Sequence, residues 1–137
     1  MKLNTNVRYG LMAIIEVAKS SDAILQKEIA ERQEIPINYL DSIIAGLKNA
    51  GWIINYAGKG SGYILAKKPK NITVYQVYRA FSPELQLVNC CCETNECRRS
   101  KICPTKDFWF ELNSQIKEIM NNKTLEELVD EHSLFNN

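Results

Sequence analysis

The sequence predicts a mainly α-helical chain with a small β-hairpin wing: a winged helix-turn-helix followed by a long C-terminal helix. Three observations lead there. Apolar residues recur at helical spacing through most of the first fifty positions. The period then changes to two short β-rich runs around a glycine-rich turn. Helical spacing resumes at residue 105 and persists almost to the end of the 137-residue chain.

The elements follow in order. In LNTNVRYGLMAIIEVAKS, Val7, Leu11, Ile14, Ile15 and Ala18 form one amphipathic stripe, with Asn4 or Thr5 as the cap. LQKEIAERQEIPINYLDSIIAGLKNAGW reads as two helices broken near Glu34, Ile35 and Pro36. Ile29 and Ala30 belong to the first, and Ala30 is small where the two helices approach. Ile35 plugs the turn. Pro36 opens the second helix, where its missing N–H costs little. Leu40, Ile43, Ile44 and Leu47 repeat that helix's apolar face, and Gly51 ends it. In the turn itself Glu34 stands where glycine would more easily supply a positive φ.

Trp52–Tyr56 and Tyr63–Ala66 are the two runs of the hairpin. Thr73 caps a short helix, TVYQVYRAF. From Thr105 a longer helix carries Phe108, Leu112, Ile116, Ile119 and Met120 on one stripe. Asn121 and Asn122 interrupt it. Thr124 then caps TLEELVDEH, with Glu127 three positions on as the partner of a capping box.

Composition excludes several classes. The apolar fraction of 45% and charged fraction of 24% are those of an ordinary globular domain. No apolar run approaches the roughly 18 residues of a membrane span, and the first twenty residues lack a signal-peptide pattern, so a cytoplasmic protein is expected. No histidine lies near a nucleophile, and no phosphate loop or recognisable carboxylate pair is present, so no enzyme is expected. Net charge is +1 but unevenly shared: residues 1–70 hold ten Lys/Arg and six Asp/Glu, whereas 71–137 hold seven and ten. A basic front half suits a polyanion.

In a winged helix-turn-helix the second helix of the motif enters the major groove of double-stranded DNA with its N-terminal residues against base edges. Here those are Asn38, Tyr39, Asp41 and Ser42. Asn pairs with adenine, and Asp accepts from the cytosine amino group. Lys2, Arg8, Lys48 and Lys59, with Ser61 in the hairpin, are placed to meet the DNA backbone, which positions the protein without specifying sequence. The other reading is a winged helix used for protein contacts.

MKLNTNVRYGLMAIIEVA, KEIAERQEIPINYLDSIIAGLKNAGWI, GKGSGY, ITVYQVYRAF, CPTKDFW and NNKTLEELV together resemble the successive landmarks of the Rrf2 family of bacterial regulators, including its IscR-like and NsrR-like branches. The resemblance covers nearly the whole chain. It implies a homodimeric winged-helix transcription factor, often holding an iron–sulfur cluster, 2Fe–2S or 4Fe–4S, through three cysteines in the loop after residue 86. Two departures stand out. Lys106 occupies the position of the histidine ligand of IscR-like members, and Arg8 that of the aspartate ligand of NsrR-like members. Ala57 stands where many wings carry arginine.

All five cysteines lie in VNCCCETNECRRSKICPTKDFW: Cys90, Cys91, Cys92, Cys97 and Cys103. In a reducing compartment an odd, crowded set argues against structural disulfides. Cys97 and Cys103 are the firmest pair of cluster ligands. Cys91 keeps a six-residue step to Cys97, while the approach LVNC favours Cys90. In extended chain Cys90 and Cys92 point to one side and Cys91 to the other, so Cys90, Cys92, Cys97 and Cys103 also compose an all-thiolate site. Arg98, Arg99 and Lys101 favour thiolates and offset the charge of such a cluster. Zinc, a metal-free reversible disulfide and unused thiols are the competing readings. His132, the only histidine, is far from the loop in sequence and reads as a surface residue.

The expected division is therefore a DNA-binding domain over 1–82, a cysteine-rich loop over 83–104, and a dimerisation helix with a C-terminal helix over 105–137. The dimer is expected to form on Phe108, Leu112, Ile116 and Met120 and to read a palindromic operator.

Overall fold

The computed structural model describes residues 3–56, 62–88 and 104–135, the side chains of 132–135 excepted. Six helices and a two-stranded hairpin appear among them: α1 (Thr5–Lys19), α2 (Gln26–Gln33), α3 (Ile37–Asn49), β1 (Ile53–Asn55), β2 (Tyr63–Leu65), α4 (Val74–Phe81), α5 (Lys106–Asn122) and α6 (Leu125–Phe135). The expected winged helix-turn-helix with a long C-terminal helix is the fold observed. No helix among the described residues is long and apolar enough to cross a membrane.

Local chemistry sets the boundaries. Asn4 caps α1, its side chain accepting from the Asn6 amide at 2.8 Å. Glu34 ends α2 in the left-handed region (φ 53°, ψ 42°), and the Glu34 and Ile35 amides both donate to the Ala30 carbonyl. The chain thus turns sharply on a non-glycine residue. Pro36 then opens α3, its carbonyl accepting from the amides of Tyr39 and Leu40. Thr73 and Gln76 exchange side-chain and backbone bonds in a full capping box on α4. On α6 the Thr124 hydroxyl accepts from the Glu127 amide, while the Glu127 carboxylate pairs with Lys123.

One core joins the motif. Ile14, Ile24, Ile29, Leu40, Ile43, Leu47, Ile53, Ile72, Val77 and Leu125 are fully buried together. Ile35 plugs the turn between α2 and α3, as its apolar side chain predicts. Leu125 brings the start of α6 into this same core. The Leu125 amide donates to the Ile72 carbonyl and the Val74 amide to the Lys123 carbonyl, so the α5–α6 junction is clasped against the chain leading into α4.

Phe81 wedges between α1 and α3, where Gly10 and Gly46 leave room: a Cβ at either would collide with its ring. The hairpin pairs Ile53 with Leu65 and Asn55 with Tyr63. A two-way backbone bridge between Ile24 and Tyr63 fastens it to the chain before α2. Gly62, at φ 119°, lies so close to the Ile24 carbonyl that a Cβ would sit 2.9 Å from its oxygen.

One buried charge escaped the sequence reading. Glu16 of α1 is 2% exposed and its carboxylate receives Gln33 at 2.5 Å, Lys19 at 3.3 Å and Arg32 at 3.5 Å. These contacts pin the end of α2 to α1. Nothing in the helical period of α1 marks position 16 as inward-facing and polar.

Candidate nucleic-acid interface and its link to the cysteine loop

Helix α3 has two unlike faces. Leu40, Ile43, Ile44 and Leu47 fasten it to the core, while Asn38, Asp41, Ser42, Ala45 and Lys48 form an exposed stripe at helical spacing. The packing of the first face presents the second to solvent as a rigid polar edge.

Several of its side chains are already oriented. Gln26, the first residue of α2, donates from Nε2 to Asp41 Oδ1 at 2.5 Å. The Ser42 hydroxyl donates to the Tyr39 carbonyl at 2.9 Å, which leaves its lone pairs as acceptors. Tyr39 meets Tyr9 of α1 edge-to-face at 5.5 Å. Lys48 extends over the Tyr63 ring of the hairpin, 5.9 Å from its centroid. Arg8 is exposed on α1, next to Tyr9. Asn38, Tyr39, Asp41, Ser42 and Lys48 are therefore brought onto one exposed helix edge. Lys2, Lys59, Ser61 and Ala57 lie outside the described residues.

Cys90, Cys91, Cys92, Cys97 and Cys103 also lie outside the described residues, as do Arg98, Arg99 and Lys101. Among the described residues, no group of three or more His, Cys, Asp or Glu is placed to hold a metal ion. Lys106 is the first residue of α5 and half-buried. The side chain of His132 is not described.

The approach to the cysteine loop is well defined. Leu85 is buried with Val7 and Tyr78, and Tyr75, Phe81, Ile116 and Met120 pack around them. Asn113 of α5, 7% exposed, holds the same stretch through both ends of its amide. Its Oδ1 accepts from the Leu87 amide at 2.9 Å, and its Nδ2 donates to the Leu85 carbonyl at 3.1 Å. The Leu85 amide donates to the Tyr75 hydroxyl at 3.3 Å, and Glu84 pairs with Lys117. Asn113 and Gln26 are the residues that sequence reasoning missed. A polar residue interrupting the α5 stripe one position after Leu112 was the available signal for Asn113. Gln26 carried none.

The apolar stripe of α5 divides. Ile116 and Met120 turn inward onto the Leu85 cluster. Phe108 and Phe110 are each 57% exposed and Ile119 68%, and a shallow hollow of about 160 Å³ lies between Phe108, Glu111, Leu112 and Gln115. Of the four expected dimer residues, Phe108 and Leu112 line the open side.

A hairpin-tipped helix-turn-helix with a polar exposed recognition helix defines the winged-helix class of DNA-binding transcriptional regulators. Within that class, the chain belongs to the Rrf2 family, described as an iron-dependent transcriptional regulator, whose profile matches residues 3–131. Protein rrf2 of Nitratidesulfovibrio vulgaris is 35% identical over 136 residues, 98% of this chain and 91% of that protein. Among solved structures, CymR, the global cysteine regulator of B. subtilis, is 27% identical with a TM-score of 0.78, over 95% of this chain and 97% of that one. T. potens IscR is 28% identical with a TM-score of 0.78, over 96% and 88%. The family description is that of regulators, not enzymes.

Proposed function

We propose that this chain is a homodimeric regulator that reads a palindromic stretch of double-stranded DNA with α3 and is controlled by an iron–sulfur cluster in its cysteine loop. Residues 1–82 bind DNA, 83–104 form the sensor, and 105–137 dimerise while α6 anchors α5 to the DNA-binding core. The observation that carries this reading is the joint at 84–87. Leu85 packs at once on Val7 of α1 and on Ile116 and Met120 of α5, and Asn113 binds the backbone on either side of Gln86. A change among the cysteines a few residues later therefore bears on both the DNA-binding frame and the dimer helix.

The donor set suits the cluster. Thiolates are its usual ligands, and Cys90, Cys92, Cys97 and Cys103 supply four without the histidine or aspartate that Lys106 and Arg8 replace. When bound, the cluster supplies a redox-active centre whose potential the neighbouring protein tunes. The test is iron and sulfide analysis with a visible spectrum on anaerobically purified protein, repeated after single changes of the cysteines to serine. Clusters lost in Cys97→Ser and Cys103→Ser, and in Cys90→Ser and Cys92→Ser but not Cys91→Ser, are the expected pattern. Full occupancy in Cys97→Ser or Cys103→Ser overturns the reading.

Two further observations favour a second reading, a metal-free thiol sensor. Lys106 and Arg8 stand at the two positions where the resemblance to IscR-like and NsrR-like members implies a non-cysteine ligand, and the likeness to CymR, a cysteine regulator, extends over 97% of that chain. Iron-free protein whose DNA affinity still responds reversibly to peroxide would establish it.

For the dimer we propose the open side of α5, keeping Phe108 and Leu112 of the expected stripe and adding the exposed Phe110 and Ile119. Ile116 and Met120 already have partners within the chain, so Ile119→Glu is the discriminating change. It should give a folded monomer with weakened operator binding, and an unchanged sedimentation coefficient excludes this interface.

A further inference from the structure

The strongest unassigned feature of the DNA-reading edge is the bond between Gln26 and Asp41. It joins residues 15 positions apart, from the first residue of α2 to the second turn of α3. At neutral pH a carboxylate only accepts, so the nitrogen end of the Gln26 amide is the end that faces Asp41. Asp41 has no ion-pair partner among the described residues; the donor that holds it is neutral. A lysine or arginine in that place would cancel the carboxylate's charge. An amide orients the carboxylate and leaves its charge available.

The consequence lies in base chemistry. In the major groove guanine presents the N7 and O6 acceptors, thymine the O4 acceptor and a methyl group, and adenine an N7 acceptor beside its N6 donor; cytosine presents only its N4 donor. An acceptor-only side chain therefore suits cytosine, is repelled by guanine and thymine, and on adenine meets the N6 donor only with the N7 acceptor beside it, so the preference depends on a free oxygen that cannot swing away. On an exposed helix Asp41 would otherwise sample several rotamers. Gln26 is half-buried and its backbone is fixed in the first turn of α2, beside a hollow of about 340 Å³ that it lines with Leu25, Tyr56 and Tyr63.

We infer that Gln26 is a specificity-positioning residue: by holding Oδ1 of Asp41 it aims Oδ2 at the amino group of one cytosine in each half-site. This inference rests on α3 being the base-reading helix. Gln26 touches no base itself; it acts through Asp41.

The experiment uses the full chain and a randomised duplex library. The wild type first selects its preferred duplex, and affinity is then measured for single-base-pair changes of it across a range of salt. Wild type should prefer C·G over T·A at one position of each half-site by about tenfold, within the range of a good base contact. Gln26→Leu keeps the side-chain bulk without the donor. It should cut that preference about three- to fivefold, with the salt slope and the other positions unchanged, since no phosphate contact is lost. Gln26→Glu places a second carboxylate beside Asp41 in the first turn of α2, where an acidic residue favours the helix, so it folds and should abolish the preference. In an Asp41→Ala background neither change should alter base preference further, a result that a purely structural role for Gln26 would not give. The inference is overturned if Asp41→Ala erases the cytosine preference while Gln26→Leu and Gln26→Glu both retain it, or if their effects persist without Asp41. A wild type that selects no sequence from the library instead defeats the DNA-reading assignment on which the inference rests.

Discussion

The molecule packs around two hydrophobic clusters of different character. The larger unites α1, α2, α3, β1, the strand-like residues before α2 and α4, and the start of α6, almost wholly through aliphatic side chains. The smaller, Val7, Tyr78 and Leu85, lies where α1, α4 and α5 meet the approach to the cysteine loop, and it is laced by Asn113, the Tyr75 hydroxyl and the Glu84–Lys117 pair. Close-packed aliphatic side chains are poorly compressible, so small displacements among them forfeit contacts. Hydrogen bonds in a half-open joint exchange with water at modest net cost, about 1 kcal/mol each. The difference assigns rigidity to the helix-turn-helix frame and adjustability to the joint beside the cysteine loop.

The largest effect tests the rigid side. Ile43 is fully buried on the inner face of α3. Ile43→Ala removes its methyl groups and leaves a cavity that interlocked neighbours fill poorly, so unfolding stability should fall by about 2–5 kcal/mol. Denaturant titration followed by circular dichroism measures this, and the loss should appear in one cooperative transition. A separate early transition would mean that α3 is not part of a single core.

The joint should respond differently. Asn113→Ala strips the partners from the Leu87 amide and the Leu85 carbonyl in a partly buried setting, a cost of about 1–3 kcal/mol. Hydrogen exchange should show faster opening of residues 85–87 and little change in α3. Equal acceleration in both regions would erase the distinction between the clusters.

The two regions also differ in how far the sequence disclosed them. Period-based reading finds the elements of the rigid frame because aliphatic side chains at Leu40, Ile43, Ile44 and Leu47 must all face one way, and caps such as Thr73 mark the ends. The same rule does not separate the two halves of the α5 stripe. Ile116 and Met120 share spacing with Phe108 and Leu112, yet they face the Leu85 cluster, because spacing gives the side of a helix but not what covers it. Polar contacts across long separations left little trace: Gln26 to Asp41 and Asn113 to Leu85 depend on tertiary placement, and only Asn113 carried a local signal. The cysteines announced themselves by crowding alone, and all five fall outside the described residues.

Glu34 offers a smaller test within the rigid frame. Its left-handed backbone is strained for a side chain bearing Cβ, and the exposed carboxylate has no described hydrogen bond in compensation. Glu34→Gly should relieve the strain and raise stability by up to about 1 kcal/mol, less whatever entropy the freer unfolded chain regains. A thermal melt reads the sign. Lower stability would show that the turn is set by something other than local backbone preference.

The smallest effect concerns the surface pair at the joint. The hydrogen bond from Lys117, and then its charge, hold the Glu84 carboxyl below the usual carboxylate range. The bond to Glu84 raises Lys117 above the usual lysine range, against some loss of hydration. For Glu84, depressed in the fold, the stabilisation is present above the ordinary carboxylate pKa and is lost as pH falls through the folded value. For Lys117, raised in the fold, it is present below the ordinary lysine pKa and is lost as pH rises through the folded value. The pair therefore acts across a window of about pH 5 to 10 and vanishes at both ends. Glu84 is exposed, so the contribution is small and screened by salt. Glu84→Gln should lower the melting temperature slightly at neutral pH and low salt, with the gap to wild type closing in acid and in concentrated salt. A gap that persists under those conditions would mean that Glu84 supports the joint by packing, and that its charge is not among the forces adjusting it.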